Sequence, residues 1–335
     1  MAGRFLPGTE DLMRIRFAVS PLWETLAAVH TLGTPQRRSY HLPWARAVEA
    51  HAGSDLAPLR LLLPRPGFVP DFLTPVPEGP VADIADEIAR VRATPPEQVD
   101  KELRACLLDP RRGLAARVSG PLLADPAATR DRLADLLAAC WQRLVRPWWG
   151  RVRSLLEDDI VVRSRALAEG GLDRLFADLH PDVRREGEAL LVEGPEHTER
   201  VLAGEGLVLM PSAFLWPELT PIMAPPWQPA LAYPARGVGR LWGEGADPPP
   251  GTLARLIGRS RARLLTALDE PATTTALAHA HGLSPAAVSG HLTALRDAGL
   301  LETRRVGRRV FYARTPLGQA LLNGGSAGGD AGVRP

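Results

Sequence analysis

The stretch PATTTALAHAHGLSPAAVSGHLTALRDAGLLETRRVGRRVFYAR, residues 271–314, reads as a short helix, a tight turn, a second helix and a two-stranded hairpin. Ser284 stands where a helix N-cap belongs, and Pro285 follows at the first helical position, where a missing N–H is no loss. From there Val288, Leu292 and Leu295 recur at i, i+4 and i+7. They form one apolar stripe, which Leu277 and Leu283 of the preceding stretch are placed to cover. Gly299 comes just past the last periodic residue, where a left-handed terminus suits glycine, so the spacing predicts a helix of about fourteen residues. Upstream, Thr273 to His281 reads as a shorter helix with threonine caps, set off by Gly282. Downstream, Leu301 to Arg305 and Arg308 to Ala313 read as strands joined through Val306-Gly307, where glycine permits the positive φ of a tight hairpin. This order of parts is a winged helix-turn-helix.

At about 100° per residue away from the buried stripe, the second helix presents Ala286, Ala287, Ser289, Gly290 and Thr293, with Ser284 at its start and His291 on the flank. These side chains suit a DNA major groove: alanine methyls against thymine methyls, hydroxyls to bases or phosphates. Arg304, Arg305, Arg308 and Arg309 in the hairpin are of the kind that hold phosphates or enter a minor groove. The plainer alternative is a winged helix used as a protein-interaction module beside a structural N-terminal domain.

As a whole, LSPAAVSGHLTALRDAGLLETRRVGRRVFYA resembles the ArsR-type winged-helix regulators, over roughly residues 252–322. That resemblance implies a homodimer on double-stranded DNA, with two recognition helices on a palindromic operator. Leu253, Leu256 and Ile257 before the motif, and Leu317, Leu321 and Leu322 after the wing, would then form the dimer helices. Where such proteins often carry an arginine beside the histidine of the recognition helix, this chain has Gly290. Many of these proteins also hold metal, through a Cys-x-Cys pair on the first helix or through His and carboxylates on the last. Here Thr273 and Thr275 take the thiolate positions, and Thr315 to Leu322 has no His, Asp or Glu, so no metal and no cofactor is expected. His279 and His281, at i and i+2 on a helix, point apart.

Composition agrees with this division. The net charge is +2, yet residues 251–322 hold ten arginines against four acids, while residues 1–250 hold more acids than bases. The positive potential therefore lies where the winged helix lies. A chain of 335 residues, 45% hydrophobic and 23% charged, is long enough for two cores. Cys106 and Cys140 stand alone, which suggests neither a disulfide framework nor a Cys-x-x-Cys metal site, and fits a reducing cytoplasm. The longest uncharged stretch, Leu219 to Ala235, is broken by prolines, so no membrane span is expected. No phosphate-cradling Gly-x-x-x-x-Gly-Lys or His-Glu-x-x-His pattern occurs, and the expectation is that the chain is not an enzyme.

The expected fold is α+β and mainly α. Residues 1–242 form a mostly helical sensor or oligomerisation domain with a small antiparallel sheet. A linker at 243–251, the winged helix at 252–322 and a disordered tail at 323–335 complete the chain. Met13 to Val19 alternates like a half-buried strand, and Ser20-Pro21 starts a helix carrying Leu22, Leu26 and Val29. The proline-rich stretch 64–80 reads as a surface loop. Helices follow with Val81, Ile84, Ile88 and Val91 on one face, then from Pro96 to Leu108 and from Pro126 towards Leu156, the last broken by Pro147. Asp158 and Asp159 read as charges at the start of a further helix, with another beyond Gly170-Gly171. Short apolar runs beyond Asp182 look like strands. All eight tryptophans precede residue 243. Trp148 and Trp149, beside the Pro147 kink, are the candidates for a small-molecule effector pocket.

Overall fold

The computed structural model describes residues 2–34, 39–49, 53–63, 68–177, 179–193, 198–216, 218–242, 250–281, 284–306 and 309–324. The protein is α+β, mainly α, and divides into two compact units. Met1–Thr34 and Ala47–Ala235 make the first; Pro35–Arg46 and Arg236–Pro335 make the second. The boundaries thus differ from one contiguous domain over 1–242. The stretches 35–46 and 236–242 go with the winged helix, for reasons of hydrogen bonding given below. Most of the expected linker, 243–249, and of the expected disordered tail, 325–335, lies outside the described residues, as do the hairpin turn at 307–308 and part of the proline-rich loop.

In the first unit the N-terminal strands β1 (Ala2–Leu6) and β2 (Arg16–Phe17) enter two different sheets completed far along the chain. These use β3 (Val183–Glu186), β4 (Ala189–Glu193), β5 (Thr198–Val201), β6 (Val208–Ser212), β7 (Thr220–Ile222) and β8 (Ala230–Pro234). One sheet runs β3-β4-β1-β5, with β1 antiparallel to β4 and parallel to β5. The other runs β2-β6-β8-β7, with β2, β6 and β8 parallel and β7 antiparallel to β8. In place of one small antiparallel sheet there are two mixed ones, sharing a core that includes Phe5, Phe176, Leu190, Leu209, Leu231 and Tyr233.

Met13 to Val19 is not a single strand. Thr9–Met13 is a short helix, because the buried Asp11 carboxylate accepts from the Gly8 N–H at 2.8 Å and from the Gly206 N–H at 2.9 Å, leaving only Arg16–Phe17 in the sheet. The helix Pro21–Gly33 starts as expected, with the Ser20 hydroxyl accepting from the Trp23 N–H at 2.9 Å, and it is buried along almost its whole length. Its N-terminus holds a second carboxylate. Glu87, from the helix Ile84–Ala93, accepts from the Leu22 N–H at 2.8 Å and from the Ser20 hydroxyl at 2.6 Å, where the helix dipole favours an anion. Glu24 accepts from the Ala213 N–H at 2.9 Å, just beyond β6. Val81 is not on the Ile84–Ala93 helix; it bridges Val19 and is 41% exposed.

Helices Pro96–Leu107 and Pro126–Cys140 follow. Pro147 then acts as expected: without an N–H, and with its ring against the carbonyl four residues back, it cannot continue an α-ladder. The chain widens into a π-turn at Trp141–Val145, tightens into a 3-10 turn at Arg146–Trp148, and resumes as helix from Trp149 to Ala177. Gly171 interrupts that helix with φ 66° and ψ −162°. Asp158 and Asp159 therefore lie inside a helix, not at its start. Asp159 is 2% exposed; the Tyr233 hydroxyl donates to it at 2.9 Å, and Arg163 lies 3.6 Å away. It ties helix to sheet and takes no part in helix capping. Among the described residues no helix is long and apolar enough to cross a membrane.

Candidate nucleic-acid interface

The second unit builds the expected motif from the residues upward. Helices Pro250–Ile257 and Arg259–Ala267 precede it. A short strand β9 (Ala272–Thr273) leads into the helix Thr274–His281, whose start is capped by Thr273 Oγ1, which accepts from the Ala276 N–H at 3.2 Å. The recognition helix is Pro285–Asp297; Ser284 Oγ accepts from the Ala287 N–H at 3.3 Å. It ends in a Schellman motif at Gly299 (φ 72°), with the Leu300 N–H reaching the Leu295 carbonyl at 2.9 Å and the Gly299 N–H the Arg296 carbonyl at 2.8 Å. Val288, Leu292 and Leu295 are buried against Leu277, Leu264, Leu265 and Leu301 in one core. Leu283 lies outside the described residues.

That packing leaves the opposite face to solvent. Ser284, Ala286, Ala287, Ser289 and Gly290 are exposed, and His291 and Thr293 are half-buried. A Cβ added at Gly290 would meet nothing within 4 Å, so no neighbour demands a glycine here. The wing consists of β10 (Leu301–Val306) and β11 (Arg309–Arg314), antiparallel from Leu301↔Arg314 to Val306↔Arg309. β9 adds a third strand against Phe311 and Tyr312 that the sequence did not announce. Arg305 and Arg309 are exposed and Arg304 is half-buried. Arg308 lies outside the described residues. Arg314, one of the ten arginines behind the basic character of this region, is 4% exposed and contributes nothing to the surface. Its Nε donates to the Leu268 carbonyl at 2.7 Å.

The six leucine and isoleucine positions expected in dimer helices divide. Leu253 and Leu322 belong to the core of the unit itself, and Ile257 and Leu321 pack partly against it. Leu256 and Leu317 remain 69% and 59% exposed. Gly318 explains how the closing helix, Pro316–Gly324, sits so close: a Cβ there would collide with the Leu300 carbonyl. The side chains of His279 and His281 lie outside the described residues, and among the described residues no three His, Cys, Asp or Glu side chains converge as metal ligands.

In the first unit Trp148 and Trp149 are half-buried, Trp149 lying edge-on to Trp141 at 5.1 Å between ring centroids. A crevice elsewhere, lined among others by Phe5, Leu12, Phe176, Leu190, Arg185 and Glu188, encloses about 10 Å³, the room of one water molecule. Neither tryptophan lines it.

The residues that fix the base of the wing were missed from sequence. Tyr40, His41, Trp44, Gly239 and Trp242 belong to this unit and bond to it. No local pattern marks them, because the partners of Tyr40 and His41 lie 228 and 201 residues away, and Gln319, a partner of Gly239, lies 80 away.

Comparison with known proteins agrees with the two-part layout. Residues 81–239 match a family of unknown function (DUF5937), and residues 256–304 match a helix-turn-helix domain. Among curated proteins and among solved structures, none matches the chain. The helix-turn-helix match covers the two helices whose capping, packing and exposed face are described above, and the first four residues of the first wing strand.

Proposed function

We propose that the protein is a sequence-specific DNA-binding transcriptional regulator of the ArsR type, acting in the cytoplasm as a homodimeric repressor. The observation that carries this reading is the recognition helix, rigidly capped at both ends, with an outward face of small and hydroxyl side chains flanked by the wing arginines. A helix so held fits the major groove, and the wing arginines Arg304, Arg305 and Arg309 would hold phosphates. Two copies would set their helices about 34 Å apart on a palindromic operator. With neither thiolates at Thr273 and Thr275 nor a His, Asp or Glu from Thr315 to Leu322, the reading includes no metal sensing and no catalysis. The first unit would then serve as sensor of a small molecule or as scaffold, an effector acting only through different affinity for two states of the protein.

Titration of the full chain with duplex DNA over a range of salt tests this. Each neutralised phosphate steepens the fall of affinity with salt, so Arg304→Ala with Arg309→Ala should flatten the slope by about two units. A full chain that binds no duplex at low salt, or binds with a slope these substitutions leave unchanged, would favour the protein-interaction module instead.

A further inference from the structure

Strand β11 outlasts its neighbour. β9 pairs only with Phe311 and Tyr312, so beyond that point no strand among the described residues receives the Arg314 N–H on this edge of the sheet. Tyr40, 274 residues earlier in the chain, stands in its place. Its hydroxyl accepts from the Arg314 N–H at 3.2 Å and donates to the Leu268 carbonyl at 3.4 Å, bridging the wing to the end of the helix Arg259–Ala267. The Arg314 guanidinium lies 5.9 Å from the centroid of the Tyr40 ring. Tyr40, Leu268 and Arg314 are all buried.

A second tie lies beside the first. Trp242 Nε1 donates to His41 Nδ1 at 2.9 Å, and the Trp242 ring stacks on Trp44 at 6.2 Å and 21°. The Gly239 N–H donates to the Asp269 carbonyl at 2.6 Å, and Gln319 Nε2 donates to the Gly239 carbonyl at 3.3 Å. A Cβ at Gly239 would collide with the Asp269 backbone and the Arg314 guanidinium, so only glycine allows this approach. Residues 40–44 and 236–242 are thus fastened to the end of one helix, to the last wing strand and to the closing helix.

We propose that these two stretches form a clasp that positions the wing. With Tyr40 seated, β11 and residues 268–273 are held in register, and the wing arginines keep a fixed direction from the recognition helix. With Tyr40 withdrawn, the base of the wing loosens and those arginines lose their hold. The chain on both sides of Pro35–Arg46 belongs to the first unit, so a rearrangement there reaches the wing along the backbone. What the wing holds rests on the DNA-binding reading; the clasp itself does not.

Hydrogen exchange on the full chain tests the clasp alone. Tyr40→Phe keeps the ring and deletes both hydroxyl bonds, and should speed amide exchange at residues 268–270 and 312–316 about tenfold while leaving the recognition helix unchanged. Trp242→Phe, which loses the bond to His41, should act on the same segments. Affinity of both variants for mixed-sequence duplex DNA at low salt should fall several-fold. Unchanged exchange at Arg314 in both variants overturns the clasp, whatever DNA does. Faster exchange with unaltered duplex affinity overturns its role in positioning the wing. If the unsubstituted chain binds no duplex, the DNA-binding reading fails, and the exchange result still decides the clasp.

Discussion

Glu24 and Glu87 show how a single residue can set the response of this protein to pH. Both are fully buried, and burial disfavours the carboxylate more than their backbone and hydroxyl partners favour it. Glu87 is pushed up to about 7 and Glu24 to about 8, from 4.5. A carboxyl with a raised folded-state pKa holds a proton that the unfolded chain has already released. Its stabilising share is whole below pH 4.5 and is lost as pH rises through the folded value. The unfolding free energy, read from the urea midpoint, should therefore fall between about pH 5 and pH 8, by roughly 3–5 kcal/mol for each group. Glu87→Gln, which cannot ionise, should remove about half of the slope that the two glutamates give up to pH 7, leaving the share of Glu24; a midpoint independent of pH in the unsubstituted chain would refute this. Asp159 acts through its contacts. Truncating it to Ala strips a buried arginine and a buried tyrosine hydroxyl of their shared partner, and should cost roughly 3–5 kcal/mol, read as a lower urea midpoint. Tyr233→Phe, which loses one hydrogen bond, should cost about 1 kcal/mol.

Elements closed by their own neighbours were legible in the sequence, and those closed by distant ones were not. The recognition helix was readable almost to the residue because its start, stripe and stop all lie within sixteen positions, Ser284 to Gly299. The break at Pro147 was readable for the same reason, since one ring forbids the ladder. Strands β1 and β2 were not, because alternation shows a strand without showing its partner, and their partners begin near residue 189. The third wing strand, β9, has only two residues and no room for a pattern. At this scale the cap can be tested directly. Ser284→Ala deletes the acceptor for the Ala287 N–H and should cost about 1 kcal/mol in the stability of the second unit. Ser284→Asp should retain most of it, since a carboxylate caps as well as a hydroxyl, though it would place a negative charge toward a phosphate backbone. Thermal denaturation and duplex titration of the two variants should therefore part company, with aspartate stable but weak in binding.

For the molecule as a whole, composition and charge announced two parts, yet not where the second begins. Arg236–Trp242 reads as the end of a strand-rich region, and Pro35–Arg46 as a connection between two helices. Only the hydrogen bonds to Leu268, Asp269 and Arg314 assign them to the winged helix. The same closeness bears on assembly. Leu253 and Leu322 are spent in the core of their own unit, so Leu253→Glu should unfold that unit and would say nothing about dimers. Leu256 and Leu317, largely exposed, have area left to give to a second copy. Leu256→Glu with Leu317→Glu should leave the circular dichroism and the melting temperature of the isolated protein close to those of the unsubstituted chain at low concentration. Sedimentation velocity should then show a shift from two copies to one. Affinity for a palindromic duplex should fall by a factor of about 10² or more, because the second recognition helix is no longer delivered by the first. If the unsubstituted chain already sediments as one copy at micromolar concentration, the paired-helix arrangement is wrong, and the operator would be read by a single recognition helix and its wing.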